Sequence, residues 1–170
     1  TFYAIDKVSA SKKFGWVNVD YKISGITLDY QRNYYSQLNS IVMVSTASFD
    51  FFSKNVFPEF KDKMQIIWDI NDANIINRMS LMPSDKKIHR HPLIIMTAGR
   101  LNKPQKGYDI ALATALELKR RNIDFRWYAI GEGPFRKEME QYISENNLQE
   151  QFILLGATAN PYSYMRQCKI

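Results

Sequence analysis

Three apolar runs in the second half of the chain, LIIMTA (93–98), FRWYAI (125–130) and QFILLG (151–156), constrain its fold most. The first two lead through glycine-bearing loops into segments of helical period. YDIALATALELKRR places Ala111, Ala115 and Leu118 at helical spacing and ends in cations, and FRKEMEQYISENN places Phe135, Met139, Tyr142 and Ile143 at i, i+4, i+7 and i+8. Pro134 suits a first helical position, and Asn160 before Pro161 reads as the cap of a third helix through YSYMRQC. Such alternation of strand and helix admits few solutions. It specifies an α/β fold whose parallel strands are joined by right-handed crossovers, the doubly wound arrangement.

The first half reads as the end of a similar unit. FGWVNVD is a short strand, ITLDYQRNYYSQLN a helix and SIVMVS a buried strand. TASFDFFSKNVF is a helix with Phe49, Phe52 and Val56 on one face, and MQIIWDI is a further strand. Residues 71–92, NDANIINRMSLMPSDKKIHRHP, mix polar residues, two prolines and a Lys/Arg/His cluster, which reads as a connector at a domain border. The expected division is 1–77, a connector 78–92, and 93–170.

Composition narrows the function classes. Apolar residues at 45% and charged residues at 24% describe a globular chain. Cys168 is the single cysteine, so an intramolecular disulfide and a cysteine-based metal site are excluded; it reads as a small buried hydrophobe in a reducing compartment. A formal charge of +6 points to an anionic partner: phosphate, nucleic acid or an acidic membrane surface. The sequence holds no apolar run of about 18 residues, and TFYAIDKVSASKKFGW lacks the basic-then-apolar order of a secretion signal. A cytoplasmic location is expected, with possible attachment at the inner face of a membrane.

The loop TAGRLNKPQKGYD (97–109) carries the chemistry. In open parallel sheets, ligands bind at the carboxyl ends of the strands. Arg100 directly follows one such strand and Lys106 precedes the next helix, so one loop can bring a planar guanidinium and a mobile ammonium to a diphosphate. The bland alternative stays open: surface cations are usually solvated, and GEGP (131–134) can be a simple helix entry. His89 and His91, either side of Arg90, read as solvated loop residues, since a metal site needs several convergent ligands.

The order G-R-L, K-G-x-D, G-x-G-P and L-L-G over residues 93–167 resembles the C-terminal domain of retaining glycosyltransferases of family 4, in the GT-B fold group. IVMVSTASFDFF and MQIIWDINDANII resemble the close of the family's N-terminal domain and the approach to its hinge. The resemblance implies two Rossmann-like domains, incomplete here at both ends. Residues 1–77 would end the acceptor-side domain, and 93–170 would be the first half of the nucleotide-sugar domain. It implies that Arg100 and Lys106 hold the donor diphosphate and that Gly99, Gly131, Glu132, Gly133 and Pro134 form the donor loop. Gly156 and Ala157 would form the turn under the nucleotide base. It implies a nucleotide-diphosphate sugar as donor, a glycan or lipid-linked acceptor, transfer with retention in polysaccharide biosynthesis, and no metal cofactor.

Departures accompany the matches. The family's paired-glutamate motif would lie beyond Ile170, so no catalytic residue is assigned and the piece alone is expected to be inactive. Asn18 stands where many relatives place a histidine, which puts acceptor-side chemistry in question. Asp20 reads as a solvated carboxylate. A catalytically inactive nucleotide- or partner-binding module is the alternative. A nucleic-acid binder is disfavoured because the cations are scattered and no nucleic-acid motif occurs. The tyrosines of QRNYYSQLN read as a core face, with an acceptor-side or membrane-facing surface as the alternative.

Overall fold

The computed structural model describes residues 2–18, 28–86, 88–89 and 91–168. They form two compact units, Thr1–Asn71 and Asp72–Ile170.

The first unit contains α1 (Phe2–Lys7), β1 (Phe14–Val17), α2 (Leu28–Ser36), β2 (Ser40–Met43), α3 (Thr46–Asn55), a 3-10 turn (Pro58–Lys63) and β3 (Met64–Ile66). Its strands run parallel in the order β1-β2-β3, with Val17 opposite Met43 and Met43 opposite Ile66. One face of this sheet is packed by Ile41, Met43, Phe52 and Phe57, all essentially inaccessible, and the rings of Tyr35, Phe52 and Phe57 meet at 5.3–5.5 Å. α3 starts where Ser45 Oγ accepts the Ser48 N–H at 3.1 Å, satisfying one of the four N–H groups a helix start leaves open. Its expected face holds: Phe52 and Val56 are buried and Phe49 is half-buried. The tyrosines of α2 divide. Tyr35 lies in the core, whereas Tyr30 is exposed and shares a hydrogen bond with Tyr34. α1 has no counterpart in the sequence reading, and Asp20 lies outside the described residues.

The second unit contains α4 (Ala73–Leu81), β4 (Ile94–Ala98), α5 (Lys103–Lys106), α6 (Tyr108–Arg120), β5 (Arg126–Ile130), α7 (Arg136–Glu145), β6 (Phe152–Gly156) and α8 (Tyr162–Met165). Its strands are parallel in the order β4-β5-β6. Alternation along β5 divides the core. Trp127 and Ala129 pack with α6 and α7 against Leu101, Leu112, Ala115 and Met139, while Tyr128 and Ile130 pack with Ile94, Leu155 and Tyr164. Both faces of β5 are therefore covered, which is why Trp127–Ile130 read as a continuous apolar run instead of alternating.

Three local expectations change. The stretch read as a connector contains α4, because Asp72 Oδ1 accepts from Asn74 N at 2.8 Å and Ile75 N at 3.3 Å and so caps a helix that then packs on α8. Pro134 sits in the turn ahead of α7, since Phe135 takes the cap position. Asn160 does not cap α8: its Nδ2 donates to the carbonyl of Met79, near the end of α4, at 2.8 Å. Cys168 is half-buried against Tyr164 and its neighbours, and burial pushes its thiol up.

Candidate functional site

The carboxyl ends of β4, β5 and β6 are joined by backbone hydrogen bonds. Gly99 N donates to Ile130 O at 2.9 Å, Leu101 N to Glu132 O at 3.0 Å, Phe135 N to Leu101 O at 3.1 Å and Gly131 N to Gly156 O at 2.9 Å. The loops after β4 and β5 thus lie against each other, and this contact accounts for the glycine pattern. A Cβ on Gly131 would stand 1.9 Å from Gly99 O, and one on Gly133 would stand 2.3 Å from Leu101 O. Gly131 also has φ +143°, which disfavours any side chain.

Tyr108, the first residue of α6, fixes the loop from below. It is buried, and its hydroxyl donates to Gly99 O at 3.1 Å, with Ile130 O at 3.5 Å. Burial pushes its pKa above the usual tyrosine value, so the proton stays on the donor. Lys106 closes over the same point. A methyl group at Gly99 would lie 3.6 Å from Lys106 Cδ and 3.8 Å from Cε, so the lysine stem lies along the residue that precedes Arg100. Both Arg100 and Lys106 are exposed. The structure therefore lays the Lys106 stem against Gly99, next in the chain to Arg100, at the carboxyl end of β4.

The other expected residues divide. Glu132 points across β6, where Arg136 Nη1 meets its Oε1 at 2.6 Å, and Arg136 Nε reaches Glu140 at 2.8 Å. Pro134 and Ala157 are exposed, whereas Gly156 is buried with φ +83°. Asn18 is exposed just past β1. Tyr108 and Arg136 are additions that spacing did not reveal. Tyr108 could have been found from its place after Lys106 and Gly107, as a large apolar side chain opening a helix beneath a loop.

His91 corrects the expectation of a solvated loop residue. Its side chain is only 12% exposed, with Nε2 3.0 Å from Asp124 Oδ1 and Nδ1 3.2 Å from Leu93 O, so it ties the start of β4 to the start of β5. Among the described residues no three His, Cys, Asp or Glu side chains converge to hold a metal ion. No helix there is long and apolar enough to cross a membrane. A shallow groove of about 550 Å³ runs beside α6 past Ile110, Thr114, Leu118 and Ile123, and includes none of the expected site residues.

The chain is similar to known proteins. Residues 92–170 match the family described as glycosyl transferases group 1. Over 107 residues the chain is 31% identical to the N-acetylgalactosamine-N,N'-diacetylbacillosaminyl-diphospho-undecaprenol 4-alpha-N-acetylgalactosaminyltransferase of Campylobacter jejuni, covering 63% of this chain and 27% of that protein. It is 21% identical over 136 residues to an uncharacterized glycosyltransferase of Methanocaldococcus jannaschii, covering 78% and 33%. The chain thus spans about a third of these relatives or less. Among solved structures, TarM of S. aureus superposes with TM-score 0.67 at 15% identity, over 94% of this chain and 31% of that one. Anabaena HepE in complex with UDP and glucose gives 0.63 at 14%, over 91% and 44%. Two parallel three-stranded sheets with these counterparts show the α/β, Rossmann-like fold of GT-B glycosyltransferases. The glycosyl transferases group 1 match begins two residues before β4 and includes every residue of the strand-end surface described above.

Proposed function

We propose that this chain is part of a glycosyltransferase in which Arg100 and Lys106 bind the diphosphate of a nucleotide-sugar donor. The supporting observation is the packing of the Lys106 stem on Gly99, next to Arg100, with both residues exposed at the carboxyl edge of β4. An arginine fork and a lysine point charge complement the several oxygens of a diphosphate. The HepE complexes with UDP and the activity named for the Campylobacter relative favour a nucleotide-sugar donor and a lipid-linked or glycan acceptor.

The chemistry follows from charge. Cleavage of the sugar–phosphate bond passes through an oxocarbenium-like state and leaves negative charge on the departing diphosphate. Cations already in place gain interaction as that charge develops, so they lower the barrier more than they tighten ground-state binding. Removing one such donor costs about 3 kcal/mol, roughly a hundredfold in rate. On this reading the cations supply the charge that a metal would otherwise provide, transfer proceeds with retention as in family 4, and the second unit is the donor side. The first unit serves the acceptor, in glycan assembly at the cytoplasmic side of a membrane. Calorimetric titration with UDP tests the donor site: binding that disappears in the Arg100→Ala/Lys106→Ala variant supports it, and unchanged binding removes it.

A further inference from the structure

We propose that Tyr30, Tyr34 and Asp6 form a platform on the first unit that stacks an uncharged pyranose ring of a glycan; this rests on the reading of that unit as the acceptor side, and not on the donor site. The rings of Phe2, Tyr30 and Tyr34 pack on one another. Their centroids are 5.6 Å apart for Phe2 and Tyr30, 4.5 Å for Phe2 and Tyr34, and 5.2 Å for the two tyrosines. The planes are tilted by 46–79°, so no two rings lie face to face, and Tyr30 remains 57% exposed. The Tyr34 hydroxyl donates to Asp6 Oδ2 at 3.2 Å and meets the Tyr30 hydroxyl at 3.3 Å. That bond to Tyr30, followed by partial burial and the nearby Asp6 charge, raises the Tyr34 pKa to about 12, so the proton stays in the network at neutral pH.

The place of the cluster follows from connectivity. β1 and β2 are parallel neighbours and α2 lies between them in the chain, so α2 runs back against both. Just after α2, Asn39 N donates to Lys13 O at 2.9 Å and Asn39 Oδ1 accepts the Lys13 N–H at 2.8 Å, which fixes that end of the helix beside the amino end of β1. Tyr30, in the first turn of α2, therefore lies toward the carboxyl ends of the strands, the side on which open parallel sheets bind ligands. The chemistry selects a sugar. A pyranose offers a face of C–H groups, which the negative face of an aromatic ring attracts, and a rim of hydroxyls, which an exposed carboxylate accepts. Asp6 is exposed, and Tyr34 takes only one of the roughly four lone-pair positions of its carboxylate. Rings in mutual contact leave no gap between them, so they make a platform and not a cage closing round a cation. The carboxylate among them opposes an anionic membrane surface.

The test is an NMR titration of the chain, following tyrosine ring signals, with methyl glucoside, methyl galactoside and tetramethylammonium, beside a separate titration with UDP. At least one glycoside is expected to shift the ring signals saturably, with millimolar affinity. Tyr30→Ala and Asp6→Asn should each weaken that binding by about fivefold or more, whereas Tyr30→Phe, which keeps the ring, should stay within about twofold of the parent. UDP affinity should be the same in all three variants. Absence of a saturable shift with either glycoside at tens of millimolar overturns the proposal and leaves the donor reading standing. So does tighter binding of tetramethylammonium than of the glycosides, or parental glycoside affinity in a folded Tyr30→Ala variant. Association with anionic phospholipid vesicles that Tyr30→Ala abolishes, without any glycoside shift, overturns it in favour of a membrane-facing role. Glycoside binding by a chain that does not bind UDP supports the platform and overturns the donor reading alone.

Discussion

The Tyr108 hydroxyl donates to the carbonyl oxygen of Gly99 at 3.1 Å, and that same oxygen is the atom against which Gly131 is packed. One carbonyl therefore ties the start of α6 to the loops after β4 and β5. The cation-bearing loop owes its shape to this point, and the first predictions follow from it.

Tyr108→Phe removes the donor while keeping the ring that fills the core. The expected loss is about 1 kcal/mol, or somewhat more because the carbonyl is left unpartnered in a mostly buried position. Urea unfolding measures it. A variant as stable as the parent would show that the Gly99 carbonyl is satisfied without the tyrosine.

Gly131→Ala and Gly99→Ala should differ sharply. At Gly131 the added carbon meets Gly99 O at 1.9 Å and the backbone has φ +143°, so a loss of roughly 3 kcal/mol or more is expected. At Gly99 it meets the Lys106 stem at 3.6–3.9 Å, an ordinary contact, and stability should stay within about 1 kcal/mol. Comparable destabilisation of the two variants in thermal unfolding would contradict the packing described for these loops.

Asp72→Ala removes the oxygen that accepts both Asn74 N and Ile75 N at the start of α4. The expected cost is about 1 kcal/mol, with Asp72→Asn much milder because an amide oxygen still caps. Denaturant midpoints of the two variants separate a cap effect from a charge effect.

Alkaline stability carries a sign. Burial pushes the hydroxyls of both Tyr108 and Tyr164 above the tyrosine reference of 10.0, and the hydrogen bond to Asp85 raises Tyr164 further. Because the native state holds these protons more tightly than the unfolded state, the stability they contribute is intact below pH 10. It is lost progressively as pH rises from there through the folded values. Urea midpoints measured from about pH 8 to 11 should fall above pH 10, and less steeply for Tyr108→Phe. An identical slope for the two proteins would contradict a buried, protonated Tyr108.

Much of the second unit was legible because burial on both faces leaves a strong sequence signal. LIIMTA, FRWYAI and QFILLG each extend one residue ahead of the observed β4, β5 and β6, and all four residues expected on one side of α7 are buried or half-buried there. The expected cations Arg100 and Lys106 were placed by the same logic, since a strand-to-helix loop returns to the strand end it leaves. Other features depended on distant partners. Asn160 is a good cap by local rules, yet the Met79 carbonyl, far off in sequence, takes its amide. His91 looks solvated among charged neighbours until Asp124 and Leu93 are seen beside it. Lys86 sits in a polar stretch without periodicity, and only the fold brings it to Gly156.

The central claim is that Arg100 and Lys106 form a diphosphate site, and the most direct measurement is the UDP affinity of the chain beside that of Arg100→Ala, Lys106→Ala and the double variant. The account predicts a loss of about tenfold or more for each single change and a greater loss for the double, with unfolding midpoints unaltered because both side chains are exposed. UDP binding that persists at parental affinity in a folded double variant would contradict it.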